Sequence, residues 1–421
     1  MSTSQYSKSE ILGLLDIGSD KICCAIVERS WPAGYGALPA IRVLGMGHQK
    51  SRGVKAGMVV HLDQAEAAVR AAVGQAERMA DVTLEDVIST VSCGRLKSAH
   101  LATHSDLAAG YVRTLDLERL ANAASEFSTR EDRALVHLNH VAYILDGEMG
   151  VRDPRRLAGK RLSVNWHVVT ADLKPLRNLS LLINRADLEL RQLVPSGLAA
   201  ALAATTSDER RIGVTCINFG AGVTDLAVFK DGQFVFTDTI PVGGSHLTYD
   251  IARNLTTPLA EAERIKTLYG TLVGARSHEN ELIQYALAGD LEGESYQTTR
   301  AEVHRILYPR VESQFGLLRE MLDNVDCVVD PGPNVVVTGG ASQLVGLVDL
   351  IVRKLERPVR IGCVPQVAGL PESMSNSAFS AVVGLACVPP IAENQLYRAS
   401  PSRVVKRGYL GRMEQWLRES F

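Results

Sequence analysis

A glycine turn near the start of the chain carries residue types that could bind a phosphate group and its metal ion. The turn spans residues 16–21, DIGSDK, where Gly18 lets backbone N–H groups approach an anion and Lys21 adds a positive charge. Asp16 ends the preceding apolar run, and its carboxylate could hold Mg²⁺ directly or through water. By itself, the segment is more typical of an ordinary turn with an exposed lysine.

Three later glycine turns could also bring the backbone close to a ligand. They are GAG at 220–222, followed by Thr224, then the pair Gly243-Gly244, and the pair Gly339-Gly340 after an apolar strand. Each turn is a weak signal alone, but their order along the chain is more specific. No G-x-x-x-x-G-K-[ST] sequence and no strand followed by G-x-G-x-x-G occurs, so a P-loop site and a Rossmann dinucleotide site are excluded.

Residues 11–27 and 212–229 repeat one pattern at a separation of about 200 residues. The first reads ILGLLDIGSDKICCAIV and the second reads IGVTCINFGAGVTDLAVF. In both, an apolar run ends in a polar residue, Asp16 or Asn218, before a glycine turn and a second apolar run. Two such runs around a glycine turn predict a β-hairpin. The repeat therefore predicts two related α/β lobes with mixed sheets, whose hairpin turns face a shared cleft.

Helical and strand-like segments alternate through the rest of the chain. Helical patterns are predicted at 62–80, 174–205, 245–255, 258–269, 299–325 and 344–355. Short strands and one helix at 87–166 predict an inserted subdomain.

The composition limits the class of protein. The chain has 421 residues, of which 46% are hydrophobic and 22% charged, so it should form two or more packed units. Its net charge of −2 excludes a general nucleic-acid binder, and no apolar run is long enough for a membrane span. Seven cysteines without C-x-x-C spacing predict reduced thiols in the core. The polar N-terminus lacks the pattern of a signal peptide.

The C-terminal segment has a different charge from the rest of the chain. From residue 398 onward it contains six basic and two acidic residues. On a helix, five apolar side chains share or border one face: Leu410, Met413, Trp416, Leu417 and Phe421. A short amphipathic helix with a Trp and a basic flank is typical of a segment lying in an anionic membrane surface. A terminal helix docked on the protein body is the alternative.

The paired hairpins and the late glycine turn resemble those of the actin, Hsp70 and sugar-kinase ATPase superfamily. Within it, the chain resembles the FtsA family of bacterial cell-division proteins from about residue 14 to residue 421. The segments that carry the resemblance are LLDIGSDKICCAIVE, SRGVKAGMVVHLDQAEAAVRAAVGQAE, INFGAGVTDLAVF, IPVGGSHLTYDIA, PLAEAERIKTLYG, VVVTGGASQLVGL and WLRESF. The resemblance implies an α/β, actin-like two-lobed ATPase fold with subdomain 1C inserted in place of 1B, plus a C-terminal amphipathic helix.

The same resemblance implies the domain boundaries. Subdomain 1A would comprise residues 11–86, 167–208 and 376–390, and the inserted subdomain 1C residues 87–166. Subdomain 2A would comprise residues 209–242 and 326–375, and subdomain 2B residues 243–325. A linker at 391–405 would lead to a membrane-targeting helix at 406–421.

Matching to the family motifs implies a site for ATP and Mg²⁺ between the lobes. The two phosphate hairpins would contribute Asp16, Gly18, Ser19, Lys21, Asn218, Gly220, Gly222 and Thr224. Further along the chain, the phosphates or the adenosine would meet Gly243, Gly244, Glu263, Lys266, Gly339, Gly340 and Ala341. Asp16 is the implied metal ligand. Without the resemblance, Glu263 and Lys266 would be interpreted as an i,i+3 surface ion pair.

Three departures from the family pattern predict weak metal binding and, at most, slow ATP hydrolysis. Asn218 stands where the family has Asp, so one negative charge for a metal is missing. Asp20 replaces a small hydroxyl residue and places a negative charge close to the phosphates. Residues 194–198, VPSGL, lack the Glu or Gln that orients the attacking water in hydrolytic relatives.

The resemblance also implies a role and its partners. The protein would polymerise, tether the FtsZ ring to the cytoplasmic face of the cell membrane at the division site, and contact later division proteins through subdomain 1C. The C-terminal peptide of FtsZ would bind subdomain 2B, where Arg300, Arg305 and Arg310 suit an acidic peptide. A solvated basic helix face would look the same. The alternatives are a pilus-assembly adaptor of the same fold and a small-molecule kinase of the superfamily.

Overall fold

The computed structural model describes residues 9–31, 39–128, 132–289, 294–326 and 332–389. The predicted linker and terminal helix lie outside these ranges, as do the side chains predicted to enter the membrane: Leu410, Met413, Trp416, Leu417 and Phe421. No helix within the described ranges is both long and apolar enough to cross a membrane.

Strands and helices alternate along the described residues, which confirms the predicted α/β class. The strands are β1 (Glu10–Ile17), β2 (Lys21–Ser30), β3 (Ala40–Lys50), β4 (Val54–Lys55), β5 (Met58–Val59), β6 (Asp86–Val91), β7 (Lys97–Asp106), β8 (Arg133–Leu145), β9 (Glu148–Val151), β10 (Arg161–Asp172), β11 (Glu189–Pro195), β12 (Val214–Phe219), β13 (Thr224–Lys230), β14 (Gln233–Ile240), β15 (Leu282–Tyr285), β16 (Tyr296–Thr299), β17 (Asn334–Thr338) and β18 (Val359–Ile361). The α-helices are α1 (Leu62–Ala80), α2 (Thr114–Ser128), α3 (Leu173–Arg185), α4 (Ser196–Ala204), α5 (Ser207–Ile212), α6 (Gly244–Leu255), α7 (Leu259–Tyr269), α8 (Arg300–Asp326), α9 (Leu347–Leu355) and α10 (Ser380–Leu385).

Each lobe contains a five-stranded mixed sheet, and the two sheets have the same topology. The strand orders are β11-β6-β1-β2-β3 and β14-β13-β12-β17-β18. In each sheet the predicted hairpin, β1–β2 or β12–β13, continues into a third antiparallel strand on one side and two parallel strands on the other. The hairpin repeat is therefore confirmed. Ligands of open α/β sheets bind at the carboxyl ends of parallel strands, which is where both hairpin turns lie.

The inserted unit is a separate four-stranded sheet with strand order β7-β10-β8-β9. Helix α2 packs on it, and Val112, Leu120 and Trp166 belong to a hydrophobic core that is distinct from the cores of the lobes. The predicted limits, residues 87 and 166, need correction because residue 87 lies inside β6, which pairs with β1 and β11 in the first lobe. Residue 166 lies inside β10, which continues to Asp172.

Helices α4 and α10 lie together at the base of the two lobes. They approach so closely that a Cβ on Gly384 would lie 1.7 Å from the carbonyl oxygen of Ala199. The core around them combines first-lobe residues with Val214, Cys216 and Phe229 of the second lobe. Because this core is shared, it holds the two hairpin turns at a defined separation.

Candidate functional site

A cleft with a volume of about 360 Å³ lies between the two lobes, within the range of small-molecule sites. The structure brings most of the predicted site residues to its wall: Asp16, Gly18, Ser19, Lys21, Asn218, Gly220, Gly222, Gly244, Glu263, Lys266, Gly339, Gly340 and Ala341. Thr224 and Gly243 are not among the residues lining the cleft, and the structure gives each of them another role.

The first hairpin places a carboxylate and an ammonium group at one end of the cleft. The Thr90 hydroxyl donates a hydrogen bond of 2.7 Å to Oδ1 of Asp16. Burial raises the pKa of Asp16, and the Thr90 hydrogen bond and the Lys21 charge oppose part of that rise. Lys21 Nζ lies 3.6 Å from the ring centroid of Phe379, and burial lowers the pKa of Lys21. A cation inside the cleft is therefore available to an anionic ligand.

The turns of the two hairpins touch each other across the cleft. A Cβ added to Gly222 would lie 2.3 Å from Oγ of Ser19, so residue 222 must be glycine for the turns to meet in this way. The backbone N–H of Gly57, in the tight turn between β4 and β5, donates to Oγ of Ser19 over 3.0 Å. The Ser19 hydroxyl is thereby held at the point where the lobes are closest.

The second hairpin supports the beginning of helix α6. The backbone N–H groups of Gly244 and Ser245 donate to the carbonyl oxygens of Gly220 and Ala221, at 2.9 and 2.8 Å. A Cβ on Gly243 would lie 2.5 Å from the Gly220 carbonyl oxygen. Gly243 therefore allows this close approach from outside the cleft wall.

Thr224 also has a structural role. Its side chain is fully buried, and its hydroxyl donates a hydrogen bond of 2.8 Å to the carbonyl oxygen of Val242. The same hydroxyl accepts a hydrogen bond of 2.5 Å from Nε2 of Gln314 on α8. Thr224 was predicted to contribute to the second phosphate hairpin; its hydroxyl joins β13 to the loop before α6 and to helix α8, and the residue is not among those that line the cleft.

The floor of the cleft contains a buried carboxylate, that of Asp225. Nδ2 of Asn218 donates a hydrogen bond of 3.1 Å to Oδ2 of Asp225, and the Thr239 hydroxyl donates one of 2.9 Å to Oδ1. Burial raises the pKa of Asp225 to about 6, although hydrogen bonds from Thr239, Asn218, Ser196 and Ser92 oppose the rise. Ser92 and Ser196 belong to the first lobe, so this carboxylate lies where the two lobes meet.

Helices α6 and α7 form the wall opposite the first hairpin. Lys266 Nζ lies 2.7 Å from Oε2 of Glu263 and donates 2.8 Å to the Thr248 hydroxyl and 3.2 Å to the carbonyl oxygen of Gly244. Thr248 in turn donates to Glu263 over 2.5 Å. The i,i+3 ion pair considered from the sequence is formed, and it lies in the cleft wall rather than on an outer helix face.

The late glycine turn closes the remaining side of the cleft. Gly339 has φ +91°, and a Cβ there would lie 2.5 Å from the Phe219 carbonyl oxygen and 2.6 Å from Oδ1 of Asn218. Both the left-handed backbone and the lack of space require glycine at this position. The Gly339 N–H donates a hydrogen bond of 3.1 Å to the carbonyl oxygen of Ser377, in the segment before α10.

The donors and acceptors in the cleft suit a phosphate-bearing ligand with Mg²⁺. Lys21 and Lys266 supply cations, and glycines at both hairpin turns permit close backbone approach. Asp16 Oδ2 accepts no hydrogen bond from the described residues. Those residues also contain no group of three or more His, Cys, Asp or Glu side chains arranged for a metal. Mg²⁺ is usually held by one or two carboxylates together with water and phosphate oxygens, and Asp16 offers one such carboxylate in the cleft.

The three predicted partner arginines lie on α8, outside the cleft, and each pairs with a carboxylate of the same chain. Arg300 pairs with Glu281 at 3.0 Å and Arg305 with Glu302 at 2.8 Å. Arg310 makes two hydrogen bonds to Asp250 on α6, at 2.5 and 2.7 Å. Arginines five residues apart are separated by about 140° around a helix, so the three do not form one basic stripe.

Several cleft residues were not predicted from the sequence. Ser92, Ser196, Asp225 and Ser377 all line the cleft. For Asp225 the available signal was its position as the second residue of the outgoing strand of a predicted ligand hairpin. The two first-lobe serines have no local signal, since their strand ends reach this edge only because β6 pairs with β1 and β11 pairs with β6.

The sequence matches two family models. The model described as cell division protein FtsA matches residues 215–384, and the model described as the SHS2 domain inserted in FtsA matches residues 93–170. The second match agrees with the separate sheet formed by β7 to β10.

Curated relatives match over almost the whole chain. The cell division protein FtsA of Agrobacterium fabrum is 39% identical, with 98% of this chain and 96% of that protein covered. The FtsA of Neisseria meningitidis serogroup B is 30% identical, with 97% and 98% covered. The FtsA of Escherichia coli K12 is 27% identical, with 97% of both covered.

Among solved structures, the PilM–PilN type IV pilus biogenesis complex contains a chain of similar fold. The TM-score is 0.63, with 89% of this chain and 97% of that chain covered, at 16% sequence identity. At that identity the likeness shows a shared fold alone.

Proposed function

Because this chain belongs to the FtsA family of cell-division proteins and has the actin-like two-lobed fold, we propose that it binds ATP with Mg²⁺ in the interlobe cleft. The observation that carries the proposal is convergence: Asp16, Lys21, Gly222 and Gly340 come from four separate segments and line one cleft. Such convergence is not expected of ordinary surface turns. Full-length similarity to FtsA proteins also favours a role in cell division over the pilus-assembly and kinase alternatives.

Each group of cleft residues would meet one part of the nucleotide. Lys21 and the backbone of the two hairpin turns would hold the phosphates, since glycine turns and an ammonium group both favour anions. Glu263 and Lys266 would lie beside the ribose and adenine, with Gly339, Gly340 and Ala341 on the other side. Asp16 would hold Mg²⁺, which neutralises phosphate charge when it is bound.

The site is suited to binding rather than to rapid hydrolysis. Phosphoryl transfer to water requires a residue that orients the attacking water. The segment at the start of α4 offers the hydroxyl of Ser196, which faces Asp225, and no carboxylate or amide. Asn218 adds no charge for a metal. We therefore expect an adaptor that is at most a slow ATPase.

The proposed cellular role follows from the family and from charge. The protein would polymerise and tether the FtsZ ring to the cytoplasmic face of the cell membrane, with later division proteins bound through the inserted subdomain. The FtsZ C-terminal peptide would bind the surface of residues 243–325, where Arg310 is the best match to the family pattern. The basic, amphipathic segment 406–421 would attach the chain to anionic lipid.

Calorimetric titration with ATP and Mg²⁺ tests nucleotide binding. The Gly222→Ala variant would force a Cβ against the Ser19 side chain, and overpacking of this kind costs about 1–3 kcal/mol. We expect ATP affinity to fall about 10-fold or more. Gly316→Ala is the matched control, because no atom lies within 4 Å of the position its Cβ would take. A parent chain that binds no adenine nucleotide at millimolar concentration would contradict the proposal.

A further inference from the structure

The ammonium group of Lys21 rests on an aromatic ring instead of on a carboxylate. Its Nζ lies 3.6 Å from the ring centroid of Phe379, within the range of a cation–π interaction. The neighbouring carboxylates already have other partners, since Asp16 accepts from Thr90 and Asp20 pairs with Lys50. No acceptor among the described residues hydrogen-bonds Lys21. The Phe379 ring is therefore the group that holds this cation in the cleft.

The Phe379 ring is itself fixed in place. It is 8% exposed and belongs to a single 3₁₀ turn, Ser377–Phe379. The Asn376 side chain caps this turn by accepting a hydrogen bond of 3.0 Å from the Ala378 N–H. The ring of His48 packs on it edge-on, with centroids 6.0 Å apart. A ring buried in this way cannot turn aside when a ligand enters.

The short segment that carries Phe379 also reaches the glycine turn of the other lobe. The Ser377 carbonyl oxygen accepts from Gly339 N at 3.1 Å, and the Ser377 hydroxyl oxygen accepts from the Ser342 hydroxyl at 3.1 Å. The hydroxyl groups of Thr338 and Ser380 lie 2.7 Å apart. One segment of four residues thus contacts Lys21 at the phosphate end of the cleft and the Gly339 turn at its adenosine end.

We propose that Phe379 is a positioning residue, which holds the Lys21 ammonium ready for the anionic end of a phosphate-bearing ligand. The ring attracts the cation without neutralising it, and its attraction is weaker than that of a phosphate, so Lys21 can leave the ring when an anion enters. Hydrogen bonds link the segment from Ser377 to Ser380, which carries the ring, to the Gly339 turn. This inference rests on the proposed nucleotide site.

The test compares Phe379→Leu, which removes the ring, with Phe379→Tyr, which keeps it. Phe236→Leu is the control for a Phe-to-Leu change, because Phe236 packs against the core of the second lobe and is not among the residues that line the cleft. Binding of ATP, of adenosine and of inorganic tripolyphosphate is measured for each protein. We expect Phe379→Leu to weaken ATP and tripolyphosphate about 3- to 10-fold, with adenosine unchanged. Phe379→Tyr and Phe236→Leu should bind all three like the parent.

Two results would overturn the inference. One is equal ATP affinity in Phe379→Leu and the parent, and the other is an equal loss of ATP and adenosine, which indicates general damage to the segment. An NMR measurement separates this inference from the proposed function: the ε-methylene of Lys21 should show a ring-current shift in the ligand-free parent, lost in Phe379→Leu. If no such shift is present, Phe379 does not hold Lys21. If the shift is present but the parent binds no ATP, the nucleotide proposal fails instead.

Discussion

The side-chain amide of Asn218 donates a hydrogen bond of 3.1 Å to the carboxylate of Asp225 at the floor of the cleft. Asp225 is fully buried, and the described residues place no cation at ion-pair distance from it. The amide and three hydroxyl groups therefore stabilise its charge, and burial still raises its pKa to about 6. Two consequences for stability can be measured without any nucleotide.

The first prediction concerns pH. A carboxyl group whose pKa rises from its usual value of 3.8 to about 6 on folding keeps its proton longer in the folded protein than in the unfolded chain. The contribution of Asp225 to the free energy of unfolding should therefore fall by about 3 kcal/mol as pH rises from about 4 to about 6, and stay level above. Asp225→Asn removes this titration. The free energy of unfolding in urea, taken as variant minus parent, should therefore increase as pH rises across that range. Stability curves that run parallel in nucleotide-free, chelator-treated protein would contradict the prediction.

The second prediction adds the carboxylate that the family resemblance implies at position 218. Asn218→Asp would place two carboxylates about 3 Å apart, and such a pair cannot both ionise without a cation. We expect the free energy of unfolding at neutral pH to fall by about 1–3 kcal/mol in chelator, and millimolar Mg²⁺ to raise the melting temperature more than it does in the parent. Asn218→Ser, which removes the amide without adding charge, is the control. An equal response of all three proteins to Mg²⁺ would show that position 218 does not select for metal.

Local patterns in the sequence were sufficient for the two hairpins and for most of the helices. The hairpins follow from apolar runs around a glycine turn, and α6, α7 and α8 begin and end within one or two residues of the predicted limits. Strand β11 was missed, because Glu189–Pro195 lies between two helices and was assigned to a helical stretch. Its strand conformation depends on parallel pairing with β6, which is about 100 residues earlier in the chain.

The parts of the site that the sequence did not predict depend on contacts between distant segments. Thr224 has the residue type of a phosphate ligand, but its hydroxyl donates to the Val242 carbonyl oxygen and accepts from the Gln314 side-chain amide. Phe379 has no local signal at all, since its importance comes from the proximity of Lys21, more than 350 residues away in sequence. The glycine turns were identifiable because the backbone constraint that they satisfy is local.

The third prediction concerns turnover. With Ser196 at the start of α4 and no water-orienting amide or carboxylate in that segment, we expect phosphate release at saturating ATP and Mg²⁺ to stay well below about 1 s⁻¹, the lower end of typical enzymes. Asp16→Ala, which removes the proposed metal ligand, measures the background from contaminating ATPases. Turnover of about 1 s⁻¹ or more, lost in Asp16→Ala, would show that the chain is an efficient ATPase.

The fourth prediction uses the ion pair between Arg310 and Asp250 on neighbouring helices. Because Arg310 is paired with Asp250, the proposed acidic FtsZ tail peptide would have to compete with Asp250 for it. Asp250→Asn should release Arg310 and raise peptide affinity up to about 5-fold, since exposed pairs contribute about 0.2–1 kcal/mol. Arg310→Glu should lower the affinity about 10-fold or more while ATP binding is unchanged.

Arg319→Glu is the matched control for this pair of variants, because Arg319 was not predicted to bind the peptide and lies about 180° away from Arg310 around the same helix. It measures the effect of net charge without changing the Arg310 position. If peptide affinity at low salt follows net charge alone, so that Arg319→Glu and Arg310→Glu are equally weak, Arg310 has no specific role.

The fifth prediction concerns residues 406–421, which lie outside the described residues and are argued from sequence. Five apolar side chains, Leu410, Met413, Trp416, Leu417 and Phe421, could each contribute up to about 1.5–3 kcal/mol if fully buried in lipid. Interfacial depth and the cost of ordering the helix reduce that sum strongly. Basic residues nearby should add about 1 kcal/mol each on anionic lipid, screened by salt. The apolar contribution should therefore dominate, and charge should select the lipid.

Co-sedimentation with anionic and neutral vesicles across a salt series measures the two contributions separately. Trp416→Glu places a charge among groups that should be buried in lipid, so it should release the protein more completely than Arg412→Ala at every salt concentration. Arg412→Ala should instead weaken binding mainly to anionic vesicles at low salt. If Trp416→Glu sediments with vesicles as well as the parent does, the terminal helix is docked on the protein body, and the proposed membrane tether is wrong.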